Sequence, residues 1–172
     1  EAQTAEAVRW AANMVGPVFM RIGRFKVPSV SQGQSPAFIP NKAMRIIDGS
    51  DVTIIATGTL VSRAVAAAAE LKVEGISARV INLSTVSPLD TIEILAAAKE
   101  TKAIITAEES VTRGGVGGAI AEFVVQNHPV PTKLMGIDSF APTGSATFLL
   151  EHFGLTADSI VASARELLKH GK

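Results

Sequence analysis

The chain has 172 residues, 47% of them hydrophobic and 19% charged, and its 16 Lys and Arg balance its 16 Asp and Glu. That length gives one domain a proper core, or one domain plus a fragment of another, and the charge balance leaves no bulk field to draw the protein to nucleic acid or to an anionic membrane. Cysteine is absent and histidine is limited to His128, His152 and His170, which excludes disulfides, thiolate metal sites and a cysteine nucleophile and makes a multi-histidine metal cage improbable.

The first residues, "EAQTAEAVRW", have neither a basic start nor an apolar core of the kind that directs export. No apolar stretch approaches the roughly 20 residues that cross a bilayer, so the expectation is a soluble, cytoplasmic protein. The chain begins without Met and in mid-pattern, with Ala2, Ala5, Val8 and Ala12 on one helical face, so a piece of something longer is expected, with a processed start the alternative. That helix should run from about Ala2 to Met14, stop at Gly16-Pro17, and give way to "VFMRI", a short strand candidate. "VPSVSQGQSPAFIPNK" then reads as a linker, with three prolines among Ser, Gln and Gly and no periodicity.

From Met44 onward apolar runs alternate with helical patterns. "MRII" and "DVTIIATG" are strands, and "LVSRAVAAAAELKVEG" is an Ala-rich helix stopped at Gly75. "ARVINLS" is the next strand, and "PLDTIEILAAAKE" a helix with Pro88 in its first turn, where a missing N–H costs nothing. "KAIITAEE" is a strand, the glycines after it open a helix to about Gln126, and "TKLMGI" is the last strand. Two helices follow, about Ser145 to His152 and Ala157 to Lys169, the second with Thr156 or Asp158 as a cap. Strands apolar on both faces and separated by helices imply a parallel sheet covered on both sides. The predicted fold is a three-layer α/β/α sandwich on a five-stranded, mostly parallel sheet. "MRII" is joined to the next strand by "DGS", too short for a crossover helix, so it should run antiparallel.

Four features could carry chemistry. Gly114, Gly115, Gly117 and Gly118 sit at a strand-to-helix turn, but they fail both the dinucleotide fingerprint, whose third glycine position is Ile120, and the P-loop, which needs a Lys-Ser/Thr pair. A bare helix N-terminus can accept an anion or admit another backbone, and a subunit or domain contact is the reading preferred over an anion cradle. Glu108 and Glu109 end a strand at the edge where open α/β sheets keep their sites. One of them could serve as acid, base or cation ligand, or the pair could simply favour the nearby helix N-terminus. There is no nucleophile elbow, and His152, beside Phe148 and Phe153, reads as a packing or capping residue. Arg21, Arg24 and Lys26 bunch in "FMRIGRFKVP" and either bind a phosphate, Arg through its bidentate fork, or form an exposed basic loop.

In order, these pieces resemble the carboxy-terminal section of transketolase, over essentially the whole chain. "GPVFMRIGRFKVP" is similar to the end of that family's pyrimidine-binding domain. "GSDVTIIATGTLVSRAVAAAAELKVEGISARVINLSTVSPLD", "AEESVTRGGVGGAIAEF" and "GIDSFAPTGSATFLLEHFGLTADSIVASARELL" are similar to the opening, central turn and ending of its third domain. The resemblance implies a boundary near residue 42: residues 1–42 as the tail of the pyrimidine-binding domain and linker, residues 43–172 as the C-terminal domain. It implies an enzyme that uses thiamine diphosphate and magnesium to move a two-carbon ketol unit between sugar phosphates, as a homodimer with sites at the interface. The family's Gly-Asp-Gly metal motif and activating glutamate are absent, so the cofactor's binding is expected to fall to remaining domains or an N-terminal subunit, and the chain alone to be inactive. Arg24 alone matches a family site residue, the arginine that grips the substrate phosphate. The alternatives are the same domain of 1-deoxyxylulose-5-phosphate synthase or of a 2-oxoacid dehydrogenase β subunit, against which "RIGR" and "FAPTGSATFLLEHFGL" speak, and a non-catalytic ligand-binding or dimerisation module.

Overall fold

The computed structural model describes residues 2–23, 26–30 and 38–170. In chain order the elements are α1 (Ala2–Ala12), β1 (Met44–Ile47), β2 (Val52–Ala56), α2 (Leu60–Val73), β3 (Ala78–Asn82), α3 (Thr91–Glu100), β4 (Ile104–Val111), α4 (Val116–Asn127), β5 (Thr132–Ile137), α5 (Ala146–His152) and α6 (Ala157–His170). The strands form one five-stranded sheet in the order β1-β3-β2-β4-β5. β1 pairs antiparallel with β3 and every other pairing is parallel, as the short "DGS" connection requires.

The central strands β2, β3 and most of β4 are buried on both faces, and the period of two sorts their side chains between two cores. Val52, Ile54 and Ala56 of β2, with Ile105 and Ala107 of β4, pack under α2 and α6 through Leu60, Ala64, Ala67, Leu71, Ile160 and Ala164. Ile55, Ile81 and Ile104 point the other way, against Ile94 and Ala97 of α3 and Ile120 and Val124 of α4. Fully buried isoleucines and leucines of this kind contribute about 1.5–3 kcal/mol each. Ala64, Ala67 and Ala68 of α2, from fully buried to 4% exposed, let that helix lie close on the sheet.

Three local expectations are corrected. "VFMRI" forms no strand: residues 18–22 have no regular secondary structure, and Phe19 is 93% exposed, because no strand among the described residues pairs with them. Pro88 precedes its helix instead of opening it. α3 starts at Thr91, and its cap is Asp90, whose Oδ1 accepts the Glu93 amide while Oδ2 accepts the Ala43 amide at 3.0 Å. α1 ends at Ala12, two residues short of Met14. Ser145 does cap α5, accepting the Phe148 amide, and Thr156 caps α6, accepting the Ser159 amide at 3.2 Å.

Candidate functional site

The carboxyl edge of the sheet is where ligands bind in open α/β folds, and β4 delivers Glu108 and Glu109 to it. Consecutive strand residues face opposite ways, so the two carboxylates part company instead of forming an acid/base pair. Glu108 turns to the α4 face, where it is 3% exposed. Its Oε1 accepts the Gly117 amide at 2.7 Å and its Oε2 the Val116 amide at 3.0 Å. These are the first amides of α4, the donors that a bound anion would otherwise seek.

The glycines make room for that carboxylate. A Cβ on Gly115 would collide with the Val111 carbonyl oxygen and come within 2.6 and 2.7 Å of the two Glu108 oxygens, and one on Gly117 would lie 2.5 Å from Thr106 Oγ1. Gly115 caps α4 in an extended conformation, with φ −80°, so there the requirement is space and not backbone freedom. Gly114 has a φ of +75° with nothing near it, which is the conformational use of glycine. Within the turn, then, Gly115 and Gly117 face inward onto Glu108 and Thr106, while Gly114 and Gly118 lie on the outer side.

Glu109 turns to the α2 face. Its Oε2 accepts the Thr59 hydroxyl at 2.6 Å, and its backbone carbonyl accepts Arg21 Nη1 at 2.7 Å. Arg21 and Lys26 are exposed; Arg24, the sequence-assigned phosphate ligand, lies outside the described residues. A second tether crosses the same edge at β3, where the buried Asn82 side-chain amide donates to Gln3 of α1 at 3.0 Å. α1 in turn holds the far end of the linker: Glu6 accepts the Phe38 amide at 2.7 Å, and Trp10 meets the Phe38 ring edge-on at 5.9 Å. The chain's own N-terminal segment thus lies across the edge where an open α/β sheet would take a ligand. Sequence reasoning missed Asn82, Thr59 and Asp90 as pinning residues, since a polar residue at a strand end or helix start carries no sign of a partner dozens of residues away.

His152 stacks on Phe148 at 5.8 Å between ring centroids and meets Phe153 edge-on at 4.9 Å, as a packing residue would. Among the described residues no group of three His, Asp or Glu is placed to hold a metal ion, and no helix is long and apolar enough to cross a membrane.

A mostly parallel sheet covered by helices on both faces, with a preceding segment of the same chain laid on its carboxyl edge, defines an open α/β domain. The family model for the transketolase C-terminal domain matches residues 41–160, and the chain belongs to that family. It is 41% identical over 153 residues to the 6-deoxy-6-sulfo-D-fructose transketolase subunit SqwH of Clostridium sp. (strain MSTE9), covering 88% of this chain and 47% of that protein. It is 38% identical to one of the subunits of the apulose-4-phosphate transketolase of Phocaeicola vulgatus, covering 97% of this chain and 54% of that one. 1-Deoxy-D-xylulose-5-phosphate synthase of Heliobacterium modesticaldum is 36% identical over 97% of this chain and 26% of its own length. Among solved structures, a split gene transketolase, described as an inactive beta4 tetramer, superposes with a TM-score of 0.92 at 37% identity, covering 99% of this chain and 56% of that one. The chain thus spans about half the length of its transketolase relatives.

Proposed function

We propose that this chain is the C-terminal section of a transketolase, acting in the cytoplasm within a homodimeric assembly that transfers a two-carbon ketol unit from a ketose phosphate to an aldose phosphate. Residues 1–42 are the tail of the pyrimidine-binding domain with its linker, and residues 43–172 the C-terminal domain. The observation that carries this reading is the use made of the sheet's carboxyl edge: the first α4 amides are taken by Glu108, and the edge is tethered through Asn82 and Glu109 to the preceding segment. An edge committed in this way buttresses a neighbouring domain. It also seats the Glu108 carboxylate on the Val116 and Gly117 amides, where its charge would repel a diphosphate, so thiamine diphosphate and Mg2+ do not fit the described residues of this chain and belong to the remaining domains or an N-terminal subunit.

Arg24 is assigned the grip on the substrate. Two relatives are named for sugars that carry an anion, a sulfonate in one and a phosphate in the other, and a guanidinium fork suits either. Gly114 and Gly118, on the outer side of the turn, are the part of it available to a neighbouring domain or subunit.

Calorimetric titration of the isolated chain with thiamine diphosphate and Mg2+ should give no heat of binding, and ketol transfer should appear only when the missing domains are supplied. Micromolar binding by the chain alone would overturn the proposal. A second reading, the same domain of a 1-deoxyxylulose-5-phosphate synthase, is supported by the Heliobacterium relative. Product analysis of the complete enzyme separates the two, by whether it yields a sugar phosphate extended by a ketol unit or a 1-deoxy sugar phosphate.

A further inference from the structure

We infer that β1 is a strap held by charge: with the turn after it, it lifts from the sheet as a unit while the core stays folded, releasing the segment that enters the domain. A ring of Arg45, Asp48, Arg79 and Glu100 closes the strap, and the burial of Arg79 keeps it ready to open.

β1 is the weakly held strand of the sheet. Each of the other four strands has at least one buried residue, whereas the four residues of β1 have none. It lies at the edge, pairs only with β3, and shifts register between Arg45 and Ile47. Elements with few buried contacts open at lower free energy than the core. Ile46 and Ile47 add partly buried packing, and the rest of the hold is ionic. Arg45 donates from Nε to Glu93 Oε1 of α3 at 2.9 Å, and its Nη2 lies 2.8 Å from the same oxygen. Just before the strand, Lys42 Nζ is 3.6 Å from Asp90 Oδ1, and the Ala43 amide donates to Asp90 Oδ2.

The ring joins the strap to the fixed body of the domain. Arg45 and Asp48 belong to the strap; Arg79 stands on β3 and Glu100 ends α3. Asp48 Oδ1 is shared between Arg45 Nη1 at 3.2 Å and Arg79 Nε at 3.5 Å, and Glu100 Oε2 between Arg79 Nη2 at 2.7 Å and Arg45 Nη2 at 3.9 Å. A Cβ on Gly49 would collide with the peptide between Ala78 and Arg79, so the turn after β1 passes close over the backbone that carries this arginine. Arg79 is 4% exposed, yet its Nε and Nη1 make no hydrogen bond to any described residue. The two acids that face it are 75% and 51% exposed. A guanidinium buried with unsatisfied donors costs free energy that its ion pairs offset only in part. Lifting the strap carries Arg45 and Asp48 away and admits water to those donors. Pairing therefore closes the strap and hydration of Arg79 opens it.

The test is amide hydrogen exchange, resolved by segment, on the complete enzyme with all its polypeptides. Raising sodium chloride from about 0.05 M to about 1 M shortens the Debye length to about 3 Å and should speed exchange of residues 44–47 on the order of tenfold, while β2 and β4 keep their rates. Glu93→Gln should speed the same amides at low salt and remove most of the salt effect. Arg79→Met keeps an unbranched side chain and removes the unsatisfied donors. Although it deletes two ion pairs, it should slow exchange of residues 44–47 about threefold, as apolar replacement of a buried charge does. An arginine that only braces the fold would give faster exchange on the same substitution, and that result would overturn the strap. So would exchange of β1 that is indifferent to salt in the wild type, or that occurs only together with β2 and β4; neither of these readings depends on a variant folding.

Discussion

Glu108 is an anion built into its own binding site. The α4 terminus, with its glycines and its dipole, offers what a phosphate needs, but the chain places a carboxylate there eight and nine residues upstream of the two amides it accepts. A hydrogen bond to a charged acceptor contributes about 1.5–3 kcal/mol, and a buried amide left facing another donor loses more than its share. Glu108→Gln preserves size and one acceptor oxygen but turns an NH2 group toward one of the amides. Destabilisation of about 2 kcal/mol is expected, read as a lower midpoint of denaturant unfolding with an unchanged slope. A midpoint equal to wild type would mean that Glu108 does not hold the helix start. Glu109, half-buried on the other face, accepts the Thr59 hydroxyl and, through its carbonyl, Arg21.

At the scale of the element, the glycine turn divides by direction. Gly115 faces Glu108 and the Val111 carbonyl, and any side chain there must displace backbone; Gly115→Ala should destabilise by about 3 kcal/mol, at the upper end for overpacking. Gly118 lies inside α4, and its Cβ would meet only the Thr112 carbonyl oxygen at 3.5 Å, an ordinary contact. Gly118→Ala should therefore stabilise by about 0.5–1 kcal/mol through helix propensity. Thermal unfolding of the two variants should shift in opposite directions, and a common sign would refute the inward and outward assignment. The sequence shows the elements well because doubly buried strands leave long apolar runs between Ala-rich helices, and even the antiparallel β1 follows from a three-residue connection. What it cannot show is which way a turn faces. "RGGVGG" has the same letters whether its space is kept for a ligand, a subunit or Glu108, and the answer depends on Thr106 and Leu134, which the fold brings beneath it from β4 and β5. The strand at "VFMRI" fails for a related reason, since alternation and apolarity mark a strand only where a neighbouring strand supplies the ladder.

For the whole molecule, the uneven distribution of apolar surface separates the two parts of the chain. The core residues of the sheet domain are buried to within a few per cent, yet α1 has no buried residue, and Val15, Phe19 and Ile22 are 99%, 93% and 60% exposed. Large apolar side chains left this exposed suit contact with a partner. On the proposed reading, the rest of the pyrimidine-binding domain covers them, with residues 18–22 completing a sheet that this chain cannot form alone. Deprived of that cover, the isolated chain should bury the same residues by self-association, giving a sedimentation coefficient that rises with concentration. Val15→Ser combined with Phe19→Ser should return it toward the monomer. Because both side chains stand almost wholly in solvent, the melting temperature should move by the equivalent of no more than about 0.5 kcal/mol. The same double substitution should abolish ketol transfer in the complete assembly by preventing the two parts from docking. If the variant assembles and turns over like wild type, the apolar face is not the seam between this chain and the domain that carries the coenzyme.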